Sequence, residues 1–384
     1  MSVSTIGHAA YEKVYDFQNL YKAHLRSRRG KRGKTEVIRF ELKLAENLAR
    51  MSEELKNHSY QMSGYYHFTI YEPKQREIFA AYYRDRVLLH CICDEILAPA
   101  IGPRLIYDNA ACQIGKGTHF ALNRFSKFLR EHYKMYGREG YVLKCDICKY
   151  FANIDHEVLK TKLKKVISDQ DILNLLFLYI DSYETEEKPG KGLPLGNQSS
   201  QWFWIYYLDS LDRMIKEKLR IKHYVRYMDD CLLLHPDKEF LLACAAKISD
   251  MLKNDLHLEL NRKTQIYSLH RGVEFLGWRF FLTDTGKVVR KLKKQSKTRM
   301  RRRLCRLQKD YAQGIIGLED AHASFASYMG HLRHGNTYHL QTKICRDFVL
   351  RRGADILKSE GDEIGEFSEK EKFRQIYMKG ERAL

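Results

Sequence analysis

Two adjacent carboxylates, Asp229 and Asp230, lie in the stretch His223 to His235, HYVRYMDDCLLLH, between two short apolar and aromatic runs. Tyr224, Val225 and Tyr227 on one side and Leu232 to Leu234 on the other make both flanks sheet-like, so the pair reads as the tip of a β-hairpin. Carboxylates held this close between flanks that bury are costly unless something cationic neutralises them. A solvated loop is the plain alternative for an Asp-Asp dipeptide, and a second acidic strand end argues against it. That end lies roughly eighty residues upstream in YVLKCDICKYFANIDH, where Tyr141, Val142, Leu143, Cys145 and Ile147 make a buried strand that Asp146 interrupts. The three aspartates supply hard oxygen ligands. Mg²⁺ takes few carboxylates together with substrate phosphates, and two such ions roughly 3.5–4 Å apart clamp the attacking and leaving oxygens of a phosphoryl transfer. The chemistry suggested is nucleotidyl transfer.

The elements that must position these groups follow from the pattern around them. Asn153 and Asp155 are N-cap types for a helix carrying Val158, Leu159, Leu163 and Val166. Past the hairpin, Phe240 to Leu252 reads as a helix and Leu256 to Leu260 as a strand ending at Asn261-Arg262-Lys263-Thr264. Val273 to Phe280 reads as a strand with a break at Gly277, and Trp278 follows it. Upstream, residues 64 to 86 alternate like a hairpin with its turn at Glu72-Pro73-Lys74, which brings Lys74 and Arg76 together and adds Arg84 and Arg86; an exposed charged hairpin is the alternative. Gly115 to His119 is a phosphate-cradling type of loop without Walker spacing, so nothing suggests an ATPase. Asp181 to Lys191 is a polar surface loop. After it Gly196 and Asn197 punctuate the chain, Ser199 and Ser200 suit a helix start, and Trp204, Leu208, Leu211, Ile215 and Leu219 recur at helical spacing.

The chain has 384 residues, 44% of them hydrophobic, enough for a sizeable core in two or three subdomains, and no apolar run long enough to span a membrane. A formal charge of +19 calls for a polyanionic partner, because the charge is clustered. Arg26, Arg28, Arg29, Lys31, Arg32 and Lys34 form one basic segment within a helical region, residues 1 to about 60. Lys287 to Lys309 is the strongest basic run; read as a helix it has almost no acidic partners at i+4, so Lys291, Lys294, Arg301 and Arg302 are expected along a nucleic-acid backbone. The histidines of Gly330 to His334 read as packing or RNA-contacting groups more than as metal ligands. Nine cysteines at uneven spacing and an N-terminus without a signal pattern read as reduced thiols in a cytoplasmic protein; Cys145 and Cys148 would diverge in a continued strand, against zinc.

Tyr227-Met228-Asp229-Asp230, with Asp146 on the earlier strand, resembles the palm of a reverse transcriptase of the bacterial retroelement type: group II introns, retrons and diversity-generating retroelements. The resemblance implies an α+β right-hand polymerase fold. Its parts would be an N-terminal helical extension (1–60), fingers (61–140), a palm with an antiparallel sheet (141–284, with finger-linked helices at 155–190), a helical thumb (285–360) and a charged tail (361–384). It also implies two Mg²⁺, with Mn²⁺ as a substitute, on Asp146, Asp229 and the Ile147 carbonyl, supported by Asp230. Lys74, Arg76, Gly196 and Gln201 would face the incoming deoxynucleotide, Phe151 would be an aromatic gate against a ribose 2′-hydroxyl, and Lys263 would protonate pyrophosphate, an ordinary surface lysine being the alternative. Arg84, Arg86, Tyr227, Met228, Gly277 and Trp278 would meet template and primer. Where group II intron and retron enzymes have Gln-Gly and Ser-Pro, this chain has Leu195-Gly196 and Ser200-Gln201. That variant resembles the enzymes of diversity-generating retroelements, which miscopy template adenines. The expected partners are a structured template RNA, a cDNA or RNA primer, deoxynucleotides and an accessory protein oligomer, with no membrane. A defence-associated or retron-like enzyme using a non-coding RNA and a catalytically idle RNA-binding scaffold are the alternative functions.

Overall fold

The computed structural model describes residues 10–71, 74–183 and 189–352. Glu72 and Pro73 of the expected turn, residues 184–188 of the surface loop and the expected tail 361–384 lie outside the described residues. The chain divides into two compact units, one of residues up to 125 together with 140–266, the other of residues 126–139 together with those from 267 onward.

The first unit opens with four helices, α1 (Glu12–Tyr15), α2 (Phe17–Ser27), α3 (Thr35–Leu42) and α4 (Leu44–Lys56), within the helical region expected at residues 1 to about 60. Asp16 caps α2 by accepting the Asn19 N–H, and Leu20, Val37, Leu48, Met51 and Leu55 are buried. The expected hairpin is β1 (Tyr65–Ile70) and β2 (Arg76–Ala81), with Tyr65 opposite Ala81 and Ile70 opposite Arg76. The extended reading to residue 86 is corrected: α5 (Tyr83–Ile92) starts directly after the hairpin, so Arg84 and Arg86 lie on a helix. A π-turn (Cys93–Leu97) leads into α6 (Ala98–Ile101), and α7 (Thr118–Tyr136) carries the chain from the first unit to the second.

Back in the first unit, β3 (Tyr141–Cys145) is followed by α8 (His156–Lys164), which Asp155 caps through the Glu157 and Val158 N–H groups, and by α9 (Gln170–Asp181). The single helix expected from Ser199 to Leu219 is instead α10 (Gln198–Tyr207), α11 (Asp209–Arg213) and a π-turn (Met214–Lys218), because the backbone leaves helical geometry at Leu208 (φ −89°, ψ 5°). Trp204, Leu208, Leu211 and Ile215 are nonetheless all buried. Next come β4 (His223–Tyr227), β5 (Asp230–His235), α12 (Lys238–Leu256) and β6 (Gln265–Ser268), the strands lying in the order β4-β5-β3-β6, antiparallel where β5 meets β4 and β3. The expected strand Leu256–Leu260 is not formed. The buried spacing Leu241, Cys244, Ile248, Leu252 continues one helical turn to Leu256, His257 ends the helix at φ 51°, and Leu260 makes an isolated bridge to Ile147.

The second unit holds a sheet of β7 (Val273–Phe275), β8 (Trp278–Leu282) and β9 (Val288–Leu292), followed by α13 (Lys294–Ala312), α14 (Leu318–Leu332) and α15 (Tyr338–Asp347). Its helices share a core of Met300, Leu304, Phe325, Met329, Leu332 and Ile344. Two expectations are corrected. The first third of the basic run is strand, because the turn from Thr283 to Lys287 folds Val288 and Val289 back onto β8; Lys291 therefore stands opposite Arg279 in the sheet. Trp278, expected to meet nucleic acid, is 0% exposed, since the register that pairs it with Phe275 and Leu292 turns it into the core. Among the described residues no helix is long and apolar enough to cross a membrane.

Candidate active site

The acidic turn is built as the sequence predicts. Tyr227 pairs with Asp230, leaving Met228-Asp229 as a two-residue link with Met228 at φ 56°, a strained conformation for a side chain of its size. What holds the turn is a group that the sequence reading missed. Arg226, next to Tyr227 and only 1% exposed, donates from Nη1 to the Met228 carbonyl (2.9 Å) and from Nη2 to the Ile205 carbonyl (3.0 Å). Its guanidinium also grips Asp212, which is 0% exposed, through Nε (2.7 Å) and Nη2 (2.5 Å), and the Tyr224 hydroxyl donates to the same carboxylate (2.6 Å). A buried cation is tolerable only with such a partner. The signal was present as an arginine inside an otherwise buried strand and an aspartate between Leu211 and Ile215.

The β3–β5 register places Cys145 opposite Cys231, so one step further along the two strands Asp146 comes beside Asp230. Burial first, and then the neighbouring Asp230 and Asp146 carboxylates, raise the Asp229 carboxyl above its ordinary range; Arg76 opposes them. Lys144 reaches Asp230 at 3.2 Å. The segment after α12 clamps Asp146: the Asn261 N–H donates to its carbonyl (2.7 Å) and the Thr264 hydroxyl accepts its N–H (3.2 Å). The bonds flanking the Ile147–Leu260 bridge run from Cys148 to Glu259 and from Asn261 to Asp146, which leaves the Ile147 carbonyl outside it.

This donor set suits a hard divalent cation. Mutually repelling carboxylates with one of them raised out of its usual range are what a cation would relieve. Among the described residues no group of three or more acidic, histidine or cysteine side chains is arranged to hold a metal ion by itself.

The other expected residues are distributed unevenly. Arg76 lies on β2 within electrostatic reach of Asp229. Gly196, at φ 119°, lets the chain pass against the hairpin: the Phe79 N–H donates to the Leu195 carbonyl (2.8 Å), and a Cβ on Gly196 would stand 2.9 Å from Ile78 Cγ2. Gly196 and the exposed Gln201 line a cavity of about 240 Å³ with Lys31, Arg86 and His90. Arg84 and Arg86 are each committed to a carboxylate, Glu54 and Glu36, and each packs over a tyrosine ring, Tyr60 and Tyr83. Phe151 is half-buried with its ring 4.4 Å from that of Trp204. Tyr227 meets Thr118 through its hydroxyl. Lys74 and Lys263 are exposed, Lys263 with its N–H on the Asn261 side chain. Gly277, at φ 85°, and the exposed Lys291, Lys294, Arg301 and Arg302 belong to the second unit.

The family model for reverse transcriptase (RNA-dependent DNA polymerase) matches residues 88–280, half of the chain. The chain belongs to the reverse transcriptase family. The segment matching that reverse transcriptase model runs from α5 into β8 and contains the three aspartates, Gly196 and Gly277, while Arg76 precedes it and α13 follows. The α+β right-hand fold expected from the sequence therefore stands. No curated protein matches the chain. Among solved structures it is similar to apo telomerase from Candida tropicalis, at 13% identity over 59% of this chain and 48% of that one, with a TM-score of 0.47. It is also similar to telomerase from Candida albicans in complex with the TWJ fragment of telomeric RNA (12%, 76% and 60%, 0.47). A third is telomerase from Candida tropicalis truncated from its C-terminal domain (16%, 60% and 55%, 0.43). The chain thus spans about half to three fifths of the length of these proteins.

Proposed function

We propose that this protein is an RNA-directed DNA polymerase that copies a dedicated RNA, and that it is the error-prone enzyme of a diversity-generating retroelement. The observation that carries the first part is the strand register that sets Asp146 beside Asp230, with Asp229 on the adjoining turn. In this reading β1–β2 belongs to the fingers, the β3–β5 sheet to the palm and α13–α15 to the thumb. Asp146, Asp229 and the Ile147 carbonyl would hold two Mg²⁺ or Mn²⁺ ions, which when bound would favour the ionised primer 3′-hydroxyl and neutralise phosphate charge. Attack on the α-phosphate forms the new phosphodiester bond and releases pyrophosphate. Arg76 and Lys74 stabilise charge building on the triphosphate, Lys263 stands as proton donor to the leaving group, and Phe151 excludes a 2′-hydroxyl. Asp230, ion-paired with Lys144, supports the cluster from beside it.

The second part rests on Leu195-Gly196 and Ser200-Gln201 in the block leading into α10. The test is to supply a primed mixed-sequence RNA, Mg²⁺ and four deoxynucleotides and to sequence the DNA made. Errors concentrated opposite template adenine are expected. Faithful copying would reject the diversity-generating reading in favour of a retron-like or defence enzyme; no product would point to a missing partner RNA or protein, and no product with those partners supplied would reject the polymerase in favour of the RNA-binding scaffold.

A further inference from the structure

The second unit holds a cavity of about 320 Å³ with a cationic lining: Arg130 from α7, Lys287 and Arg290 at and just before β9, and Arg333 and His334 from the turn after α14. Among the described residues no carboxylate lines it. Arg130, Lys287, Arg333 and His334 are exposed, and Arg290 is half-buried.

Backbone and core fix the wall of this cavity. The Arg290 N–H donates to Asn336 Oδ1 (2.9 Å) and the Asn336 N–H donates to the Arg290 carbonyl (2.8 Å), which staples the turn between α14 and α15 to β9. The Thr337 hydroxyl donates to the Leu332 carbonyl (2.6 Å) and ties the same turn back to α14. A Cβ on Gly335 would run into the Trp278 ring, so only glycine lets the turn close onto the core there. The strand register sets Arg290 opposite Phe280, and its guanidinium lies 5.9 Å from the centre of that ring. Burial, and then the charge of Arg130, hold the Arg290 guanidinium below its ordinary range, a repulsion that a bound anion would relieve.

Shape and charge together identify the class of ligand. A nucleic-acid backbone spreads its charge along the strand, one negative charge per phosphate, and is met by cations spread over a surface. Here four arginine and lysine side chains converge instead on one concavity, at the lower end of the roughly 300–1,000 Å³ of small-ligand sites. Guanidinium forks take phosphate oxygens in pairs. A group that concentrates several charges and many oxygens in so small a volume is a triphosphate.

We propose that this cavity binds a terminal triphosphate, carried either by a free nucleoside triphosphate or by the 5′ end of an RNA. The site lies wholly in the second unit, whereas the acidic turn belongs to the first, so the inference does not rest on the polymerase reading.

The test titrates the full chain with inorganic tripolyphosphate by calorimetry, with EDTA present so that no divalent ion can bridge the probe to the acidic turn. Tripolyphosphate should bind at least about tenfold more tightly than phosphate. Losing one charge-assisted bond changes affinity by roughly tenfold to a hundredfold, so Arg130→Gln and Arg333→Gln should each weaken binding by about tenfold. Both side chains are exposed, and the melting midpoint should not move. Lys309→Gln, which removes the same charge from α13, should bind as wild type does. Two arms separate the sources. If an RNA end is the ligand, a 5′-triphosphate RNA should bind more tightly than the same RNA with a 5′-hydroxyl, and Arg333→Gln should erase the difference. If a free nucleotide is the ligand, a nucleoside triphosphate should displace tripolyphosphate and the two RNAs should bind alike. Absence of saturable tripolyphosphate binding, an equal loss in Lys309→Gln, or tripolyphosphate that neither a nucleoside triphosphate nor the 5′-triphosphate RNA displaces would overturn the assignment.

Discussion

Removing the carboxylate beneath the acidic turn should lower stability sharply. Asp212 accepts two guanidinium bonds from Arg226 and one from the Tyr224 hydroxyl, all buried. Asp212→Ala therefore strands a cation and a phenol together, and breaking a buried pair from one side costs about 3–5 kcal/mol. At about 2–4 °C per kcal/mol for a unit of this size, the melting midpoint of the first unit should fall by roughly 6–20 °C. Arg226→Met should do comparable damage. The double variant Arg226→Met/Asp212→Leu removes both charges and should recover most of the stability. It should not recover synthesis, because the Met228 carbonyl has lost its donor and the strained turn its anchor. The assay pairs thermal melts with steady-state primer extension, and the loss should appear in kcat with KM for the deoxynucleotide little changed. A double variant as active as wild type would refute the positioning argument; single variants that melt like wild type would refute the energetic one.

Gly196→Ala meets Ile78 and forces an L-residue to φ 119°, a conformation costing about 1–3 kcal/mol. A lower melting midpoint and a raised KM for deoxynucleotide are expected, and a variant identical to wild type in both would show that the close approach is dispensable. His90 gives a pH prediction. Burial, with Lys31, Arg86 and Arg26 outweighing the opposite pull of Asp94, holds its imidazole down to about 4. The unfolded chain binds that proton near pH 6.5, so stability falls as pH drops from about 6.5 to 4 and levels off below, a loss on the order of 3 kcal/mol. His90→Gln should lose less stability over that window in urea melts at pH 7, 5 and 4; an identical pH dependence in the two proteins would contradict the assignment.

What was legible in the sequence was whatever breaks a local pattern. Asp146 interrupting an apolar strand and Asp229-Asp230 between two others could be read directly, because a carboxylate in a sheet needs a reason. The hairpin at residues 65–81 and the cap at Asp155 are equally local signals. The misreadings lie where composition hid the period, as in the basic run whose Val288–Leu292 is strand, or where one residue decides the outcome, as at His257. The neutralisation of Arg84 and Arg86 by Glu54 and Glu36, and the pairing of Arg226 with Asp212, join residues from separate elements. No window of sequence contains both partners in their spatial relation, so only the fold reveals which arginines are structural.

The most direct test of the central claim compares wild type with Asp229→Ala on a primed RNA template, measuring DNA extension and RNA affinity in the same preparation. Wild type should extend the primer only when Mg²⁺ or Mn²⁺ is supplied, and Asp229→Ala should bind the RNA as tightly and make no DNA. Extension by Asp229→Ala at the wild-type rate would contradict the account.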